Sequence, residues 1–202
     1  MKTILITGRM GSGKSQLLSL IEKRAYPVFS ADKAAKNLLR PESPCYEELK
    51  KILEKNNPNP AFYQAEGLFH KKKLSDFLFK NPEKKKALEQ IIHPQVRALF
   101  KAFVEEESRK KSSSYIFYEA PLLSKEILKS CGFSILVVIS SIRREERLLQ
   151  LGWTKREIEQ RLSAQIPEEE VIKSVDFIIE NNKDTAELEK QLDILLEKLK
   201  EN

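Results

Sequence analysis

At 202 residues the chain suits one ordinary domain with room for an inserted subdomain, long enough to bury a core without staples. Its formal net charge of +6 is spread over small clusters at Lys71-Lys72-Lys73, Lys84-Lys85-Lys86 and Arg109-Lys110-Lys111 without interleaved aromatics, which suits anionic partners and argues against a nucleic-acid surface. No apolar stretch approaches the ~18 residues of a membrane helix, no signal peptide opens the chain, and Cys45 and Cys131 match no metal or redox spacing; the expectation is a cytoplasmic protein with reduced thiols and no membrane partner.

Taken in chain order, Lys2 to Thr7 reads as a buried strand, and Lys14 to Arg24 as a helix with Leu17, Leu18, Leu20 and Ile21 on one side. Val28 to Ser30 is a short second strand and Ala31 to Leu39 a helix that stops before Pro41. Ser43 to Lys55 reads as a helix with Ser43 as cap and Pro44 in the first turn. Residues 56 to 67 form a loop rich in Asn, Pro and Gly. From His70 to Arg109 the pattern is helical and charged, with breaks expected at Pro82 and Pro94. Strands follow at Tyr115 to Glu119 and Phe133 to Ile139. Helices at Arg143 to Leu149 and Thr154 to Gln165 flank a Gly152-Trp153 turn. A short strand at Asp176 to Ile179 and an amphipathic helix from Asp184 to Leu199 close the chain. Strands alternating with helices imply a parallel sheet covered on both faces.

The stretch Gly8-Arg9-Met10-Gly11-Ser12-Gly13-Lys14-Ser15 has the spacing of a phosphate-binding loop, and it sits between a strand and a helix as that motif requires. Its backbone N–H groups can turn inward onto one anion, and the helix behind adds a partial positive charge. The residues expected to hold a nucleotide are Gly8 to Ser15 and the adjoining Gln16. Lys14 brings a full charge to the β- and γ-phosphates, and Ser15 offers a hydroxyl to Mg²⁺. A guanine-reading Asn-Lys-x-Asp is absent: in Asn182-Lys183-Asp184-Thr185 the acid comes one place early, which favours ATP.

Two acids end strands. Glu119 is placed to hold the water shell of Mg²⁺. Asp32, just past the second strand, suits either a helix cap or a group that accepts a hydrogen bond from a substrate hydroxyl and aims it at the γ-phosphate. The cations Arg143, Arg144, Arg147, Lys155, Arg156 and Arg161 cluster around the Gly-Trp turn, where a segment could close over ATP. His93-Pro94 marks a joint that either faces a substrate or is partly buried.

Several pieces then occur in one order: Thr7-Gly8…Gly13-Lys14-Ser15, Ser30-Ala31-Asp32, Gly67-Leu68, Phe79-Lys80-Asn81-Pro82, His93-Pro94, Pro121-Leu122-Leu123, Val137-Val138, Gln165 and Asp176…Glu180-Asn181. In this the chain resembles the dephospho-CoA kinases over nearly its whole length. The resemblance implies a three-layer α/β P-loop kinase fold with a five-stranded parallel sheet in the order 2-3-1-4-5. The nucleotide-binding core would take residues 1–40 and 112–202, with a lid at about 143–165, and a helical CoA-binding insertion would take 41–111. It implies transfer of the γ-phosphate of ATP to the ribose 3′-hydroxyl of dephospho-CoA, with ATP and Mg²⁺ bound and the enzyme a monomer or weak homo-oligomer. It makes Asp32 the general base, with Lys14 and Arg147 as catalytic cations and Asn181 at the nucleotide. Thr7, Asp32, Lys36, His93, Pro121 and Leu122 fall at the substrate. The chain departs from the family pattern at four places. Ser30 replaces an acid, Lys36 replaces an arginine, Lys125 stands where a glutamate is usual, and Leu151 replaces the second lid arginine. Another small-molecule kinase, or an ATP-binding regulator without transfer activity, are the competing readings.

Overall fold

The short apolar runs pair into one sheet because each is too brief to bury itself alone. The computed structural model describes residues 1–55, 63–64, 67–111, 113–120 and 131–201. Its strands are β1 (Lys2–Thr7), β2 (Val28–Ser30), β3 (Tyr115–Glu119), β4 (Phe133–Val138) and β5 (Phe177–Glu180). All pairings are parallel and the order is β2-β3-β1-β4-β5, as the resemblance implied. β1 is the central strand: it pairs Ile4 with Phe117 on one side and with Phe133 on the other.

Two compact units divide the chain, one of Met1–Ser30 with Val104–Asn202 and one of Ala31–Phe103. In the first, α1 (Lys14–Lys23) and the C-terminal helix (Thr185–Glu201) share a leucine-rich core with one face of the sheet. Leu17, Ile21, Leu188, Leu192 and Leu195 meet Ile4, Ile6, Phe117, Ile135 and Val137 there. Each such side chain contributes about 1.5–3 kcal/mol when fully buried. The alternate residues Leu5, Ile116 and Leu136 are also buried, so the second face is covered as well. Where β4 and β5 begin, Asp176 Oδ2 accepts from both the N–H and the hydroxyl of Ser134, at 2.8 and 2.6 Å, and pins the register of the edge strand.

The second unit holds α2 (Ala31–Leu38), α3 (Tyr46–Glu54), α4 (Lys71–Lys80) and most of α5 (Pro82–Lys110). Tyr46 and Tyr63 both pack on Phe69, with ring centroids 5.3 and 5.2 Å away. Burial and a 2.6 Å hydrogen bond to Glu54 push the Tyr63 phenol well above its usual range. Lys84 Nζ closes the C-terminal end of α3 by donating to the carbonyls of Leu53 and Lys55, both at 2.8 Å.

Two expectations are corrected and one helix is added. The third helix begins at Tyr46, not Ser43, because residues 43–46 close a turn in which the Tyr46 N–H donates to the Ser43 carbonyl. Pro94 does not break its helix: α5 runs through it for 29 residues. The proline deprives only the Gln90 carbonyl of a donor, and Gln90 is exposed to water. An unexpected short helix, α8 (Glu168–Ile172), lies between α6 (Ser141–Gln150), α7 (Lys155–Ser163) and β5; the C-terminal helix is therefore α9. Most of the expected loop at 56–67 lies outside the described residues. No described helix is long and apolar enough to cross a membrane.

Candidate active site

The phosphate loop leaves β1 at Thr7, which is buried, and enters α1 at Gly13. Gly13 adopts φ 94°, ψ 20°, a left-handed conformation that side chains resist, and its carbonyl accepts the first N–H groups of α1 from Gln16 and Leu17. At Gly8 the constraint is space: a Cβ would stand 2.5 Å from the Val137 carbonyl oxygen and 2.7 Å from Ser12 Oγ. The Lys14 ammonium folds back over the loop and donates to the carbonyls of Gly8 (2.7 Å) and Arg9 (3.4 Å). A cation held against the loop's carbonyls, beside a helix N-terminus, is a site for a polyphosphate.

Other elements of the same unit close on this loop. Asn181, two per cent exposed, follows β5, and its Nδ2 donates to the Ser12 carbonyl at 3.0 Å. A Cβ on Gly13 would collide with that amide and stand 2.6 Å from Arg147 Nη1. Arg147, on α6, also donates to the Gly11 carbonyl at 3.4 Å. The Met10 N–H donates to Gln165 Oε1 at 3.1 Å, and the Arg9 guanidinium donates to the Leu162 carbonyl. Gln16 points elsewhere and donates to Thr185 Oγ1 at 2.9 Å, tying α1 to the start of α9.

The cations around the Gly152-Trp153 turn sort themselves by their partners. Arg144 is buried, ion-paired with Glu168, and donates to the Ile139 carbonyl. Lys155 pairs with Glu145 at 2.8 Å, and that hydrogen bond holds its ammonium above the usual lysine range. Arg161 stacks on Trp153, 4.5 Å from the ring centroid. Arg143 and Arg156 are exposed. The stem of Arg144 lies against Gly11, where a Cβ would stand 3.1 Å from its Cγ, while Arg147 turns its guanidinium to the phosphate loop. The helices themselves are well begun: Ser140 caps α6, and Thr154 with Glu157 forms a capping box on α7.

Glu119 ends β3 almost fully buried, and Ser30 Oγ donates to its Oε2 at 2.5 Å across the β2–β3 pair. Ser15 opens α1 one residue after Lys14 and is exposed. A hydroxyl and a carboxylate are the hard oxygen donors that suit Mg²⁺ retaining most of its waters. Among the described residues no group of three acids, histidines or cysteines gathers as a closed metal site.

In the helical unit, Asp32 is the second residue of α2 rather than its cap, and Lys36, one turn on, donates to its Oδ2. Both side chains are about half exposed. His93 is exposed on α5. Pro121, Leu122 and Lys125 lie outside the described residues. Sequence reasoning missed three contacts: Ser30 on Glu119, Gln165 on Met10, and Arg144 on Glu168. The last had a signal, the acidic run Glu168-Glu169-Glu170 after Pro167, which marks a helix start.

Residues 2–187 match the family model described as dephospho-CoA kinase. A Bdellovibrio bacteriovorus protein named dephospho-CoA kinase is 31% identical over 209 residues, covering all of this chain and 98% of that one. An Aquifex aeolicus protein of the same name is 33% identical, with 98% of each covered. Among solved structures, TT1252 from Thermus thermophilus superposes with a TM-score of 0.77 at 30% identity, over 98% of this chain and 97% of that one. A shikimate kinase from Acinetobacter baumannii, 12% identical, shares the fold with a TM-score of 0.51 over 98% of this chain and 94% of its own.

Proposed function

The chain belongs to the dephospho-CoA kinase family, and we propose that its phosphate loop, Asp32 and Arg147 divide the phosphoryl transfer among them. The reaction is the ATP-dependent phosphorylation of the ribose 3′-hydroxyl of dephospho-CoA, the last step of coenzyme A synthesis. One observation supports this division above the others. Lys14 and Arg147 both converge on the phosphate loop, with Arg147 Nη1 beside Gly13 and Lys14 over Gly8.

The loop's inward N–H groups and the α1 N-terminus hold the β- and γ-phosphates, and Lys14 exchanges its carbonyl partners for phosphate oxygens. Because the transition state is loose, charge spreads over the moving phosphoryl oxygens, and Arg147 is the cation placed to meet it. Asp32 accepts the hydrogen bond of the 3′-hydroxyl and orients its oxygen for in-line attack. Lys36, bonded to Asp32, keeps that carboxylate in one rotamer. Mg²⁺, held by Ser15 and the Glu119-anchored water shell, would neutralise charge on the β- and γ-phosphates. Asn181 braces the loop from behind, with the base of the nucleotide near the same β5 end. Thr7, His93, Pro121 and Leu122 complete the acceptor side, and the helical unit is the CoA-binding part. The enzyme works in the cytoplasm as a monomer or weak homo-oligomer, away from nucleic acid and membrane.

The test is ATP consumption by the purified protein with Mg²⁺ and dephospho-CoA, with the product mass recorded. A product heavier by one phosphoryl group is expected. ATP binding without that product would overturn the assignment of roles.

A further inference from the structure

We propose that Arg9 and Gln165 are positioning residues that couple the lid to the phosphate loop. The proposal rests on the reading of about 143–165 as the lid. Two adjacent loop residues bond to a stretch of four at the lid's C-terminal root, and the two bonds are reciprocal. The side chain of Arg9 donates to the backbone carbonyl of Leu162, while the backbone N–H of Met10 donates to the side chain of Gln165 at 3.1 Å.

Each bond has a physical reason. Leu162 lies in the last turn of α7, where the helix end is partially negative; its carbonyl already accepts the Gln165 N–H at 3.1 Å, and Arg9 adds a charged donor to it. A guanidinium is the most favourable donor to place there. Arg9 Nε is itself buried with no hydrogen-bond partner among the described residues, a cost that the Leu162 bond offsets. The Met10 N–H takes the Gln165 side-chain oxygen as its acceptor rather than a backbone carbonyl.

The other helix of the lid, α6, rests on the next loop residue. Leu148 Cγ of α6 would stand 3.0 Å from a Cβ on Gly11, and Arg147 donates to the Gly11 carbonyl. Residues 9–11 therefore touch both helices of the lid. The tip behaves oppositely: Leu151 is 69% exposed, and a Cβ on Gly152 would meet nothing within 4 Å. α7 spans nine residues, a lever of roughly 13 Å between root and tip. A loop backbone that adjusts to a triphosphate thus displaces the tip, and by reciprocity the lid's position alters ATP affinity.

Trp153, the one tryptophan of the chain, stands at that tip stacked on Arg161, so its emission reports the lid. The experiment titrates the full chain with Mg²⁺ and an ATP analogue whose γ-phosphate cannot transfer. It follows Trp153 emission beside steady-state kinetics for the parent, Arg9→Ala, Gln165→Ala and Arg9→Lys. The parent is expected to show a saturable emission change. In the two alanine variants its amplitude should fall by about half or more, with KM for ATP rising about fivefold and kcat falling less. Arg9→Lys should restore most of the amplitude, since an ammonium can still reach the Leu162 carbonyl. Full amplitude in both alanine variants would overturn the coupling, even with weaker binding, because lost charge alone would then explain the loss. No emission change in the parent would instead remove the lid reading, and the coupling with it. Should an alanine variant fail to fold, Arg9→Lys against Arg9→Gln poses the same question.

Discussion

Ser30 and Glu119 are paired residues at the ends of two neighbouring parallel strands, and the serine hydroxyl donates to the buried carboxylate at 2.5 Å. Ser30→Asp would set a second carboxylate against the first, and one of the two would keep its proton. The folded state then binds more protons than the unfolded chain, so stability falls as pH rises above about 4. Relative to the parent, the variant should lose roughly 1–2 kcal/mol between pH 5 and pH 8. Added Mg²⁺ with ATP should recover most of it if Glu119 faces the cation's water shell. Thermal melts at the two pH values, with and without Mg²⁺ and ATP, check both parts.

Lys14→Ala removes the full charge from the loop but no core contact. We expect kcat/KM for ATP to fall about a thousandfold, with the melting temperature within a few degrees of the parent. A loss below tenfold would mean that the loop amides and Arg147 suffice without it.

Asp32→Asn keeps shape and removes charge. ATP affinity should stay within about twofold, while transfer to dephospho-CoA should drop on the order of 10²- to 10⁴-fold. The Asp32–Lys36 pair is half exposed, so stability should move by no more than about 0.5 kcal/mol. Near-normal turnover would remove Asp32 from the mechanism.

Gly13→Ala meets two obstacles, a left-handed backbone and the amide of Asn181. ATP binding should be lost and the melt lowered. Asn181→Ala alone should cost about 1–2 kcal/mol, since the buried Ser12 carbonyl loses its donor. The double variant should cost less than the sum of the two, because the collision is then gone while the backbone strain stays. Chemical denaturation of all three measures the difference.

Arg144→Ala should be the most destabilising substitution on α6, about 3 kcal/mol, because it strands Glu168 beside a buried face. Arg144→Met with Glu168→Leu should cost far less, since no charge is then left alone. Equal losses would show that the Ile139 carbonyl contact, not the ion pair, matters.

Much of the core was legible in the sequence. Runs such as Ile4-Leu5-Ile6 and Phe133 to Val138 announce strands because burial on both faces leaves no polar alternation. The glycine spacing around Lys14 announces the loop because no other residue type fits Gly8 and Gly13. What escaped were contacts between distant segments. Nothing local tells Arg144 from Arg147, yet three residues of helix turn one into the fold and the other onto the loop. Asn181 was expected at the nucleotide, and its bond to the Ser12 carbonyl spans 169 positions of sequence. Pro94 misled because proline ordinarily ends a helix, whereas here the 29-residue helix continues through it at the cost of one backbone bond.

The strand order has a consequence for how the chain is made. β1 occupies the middle of the sheet, yet its partner β3 is translated more than a hundred residues after it. At about 5–20 residues per second, the segment bearing the phosphate loop leaves the ribosome several seconds before anything can pair with it. During that interval Ile4, Leu5 and Ile6 are exposed as an unpaired apolar edge. The helical segment 31–103, whose contacts are nearer in sequence, emerges whole in the meantime. A nascent-chain chaperone that favours short aliphatic stretches would therefore meet β1 before its partner strands, and the nucleotide site would become competent only after the sheet has closed around it.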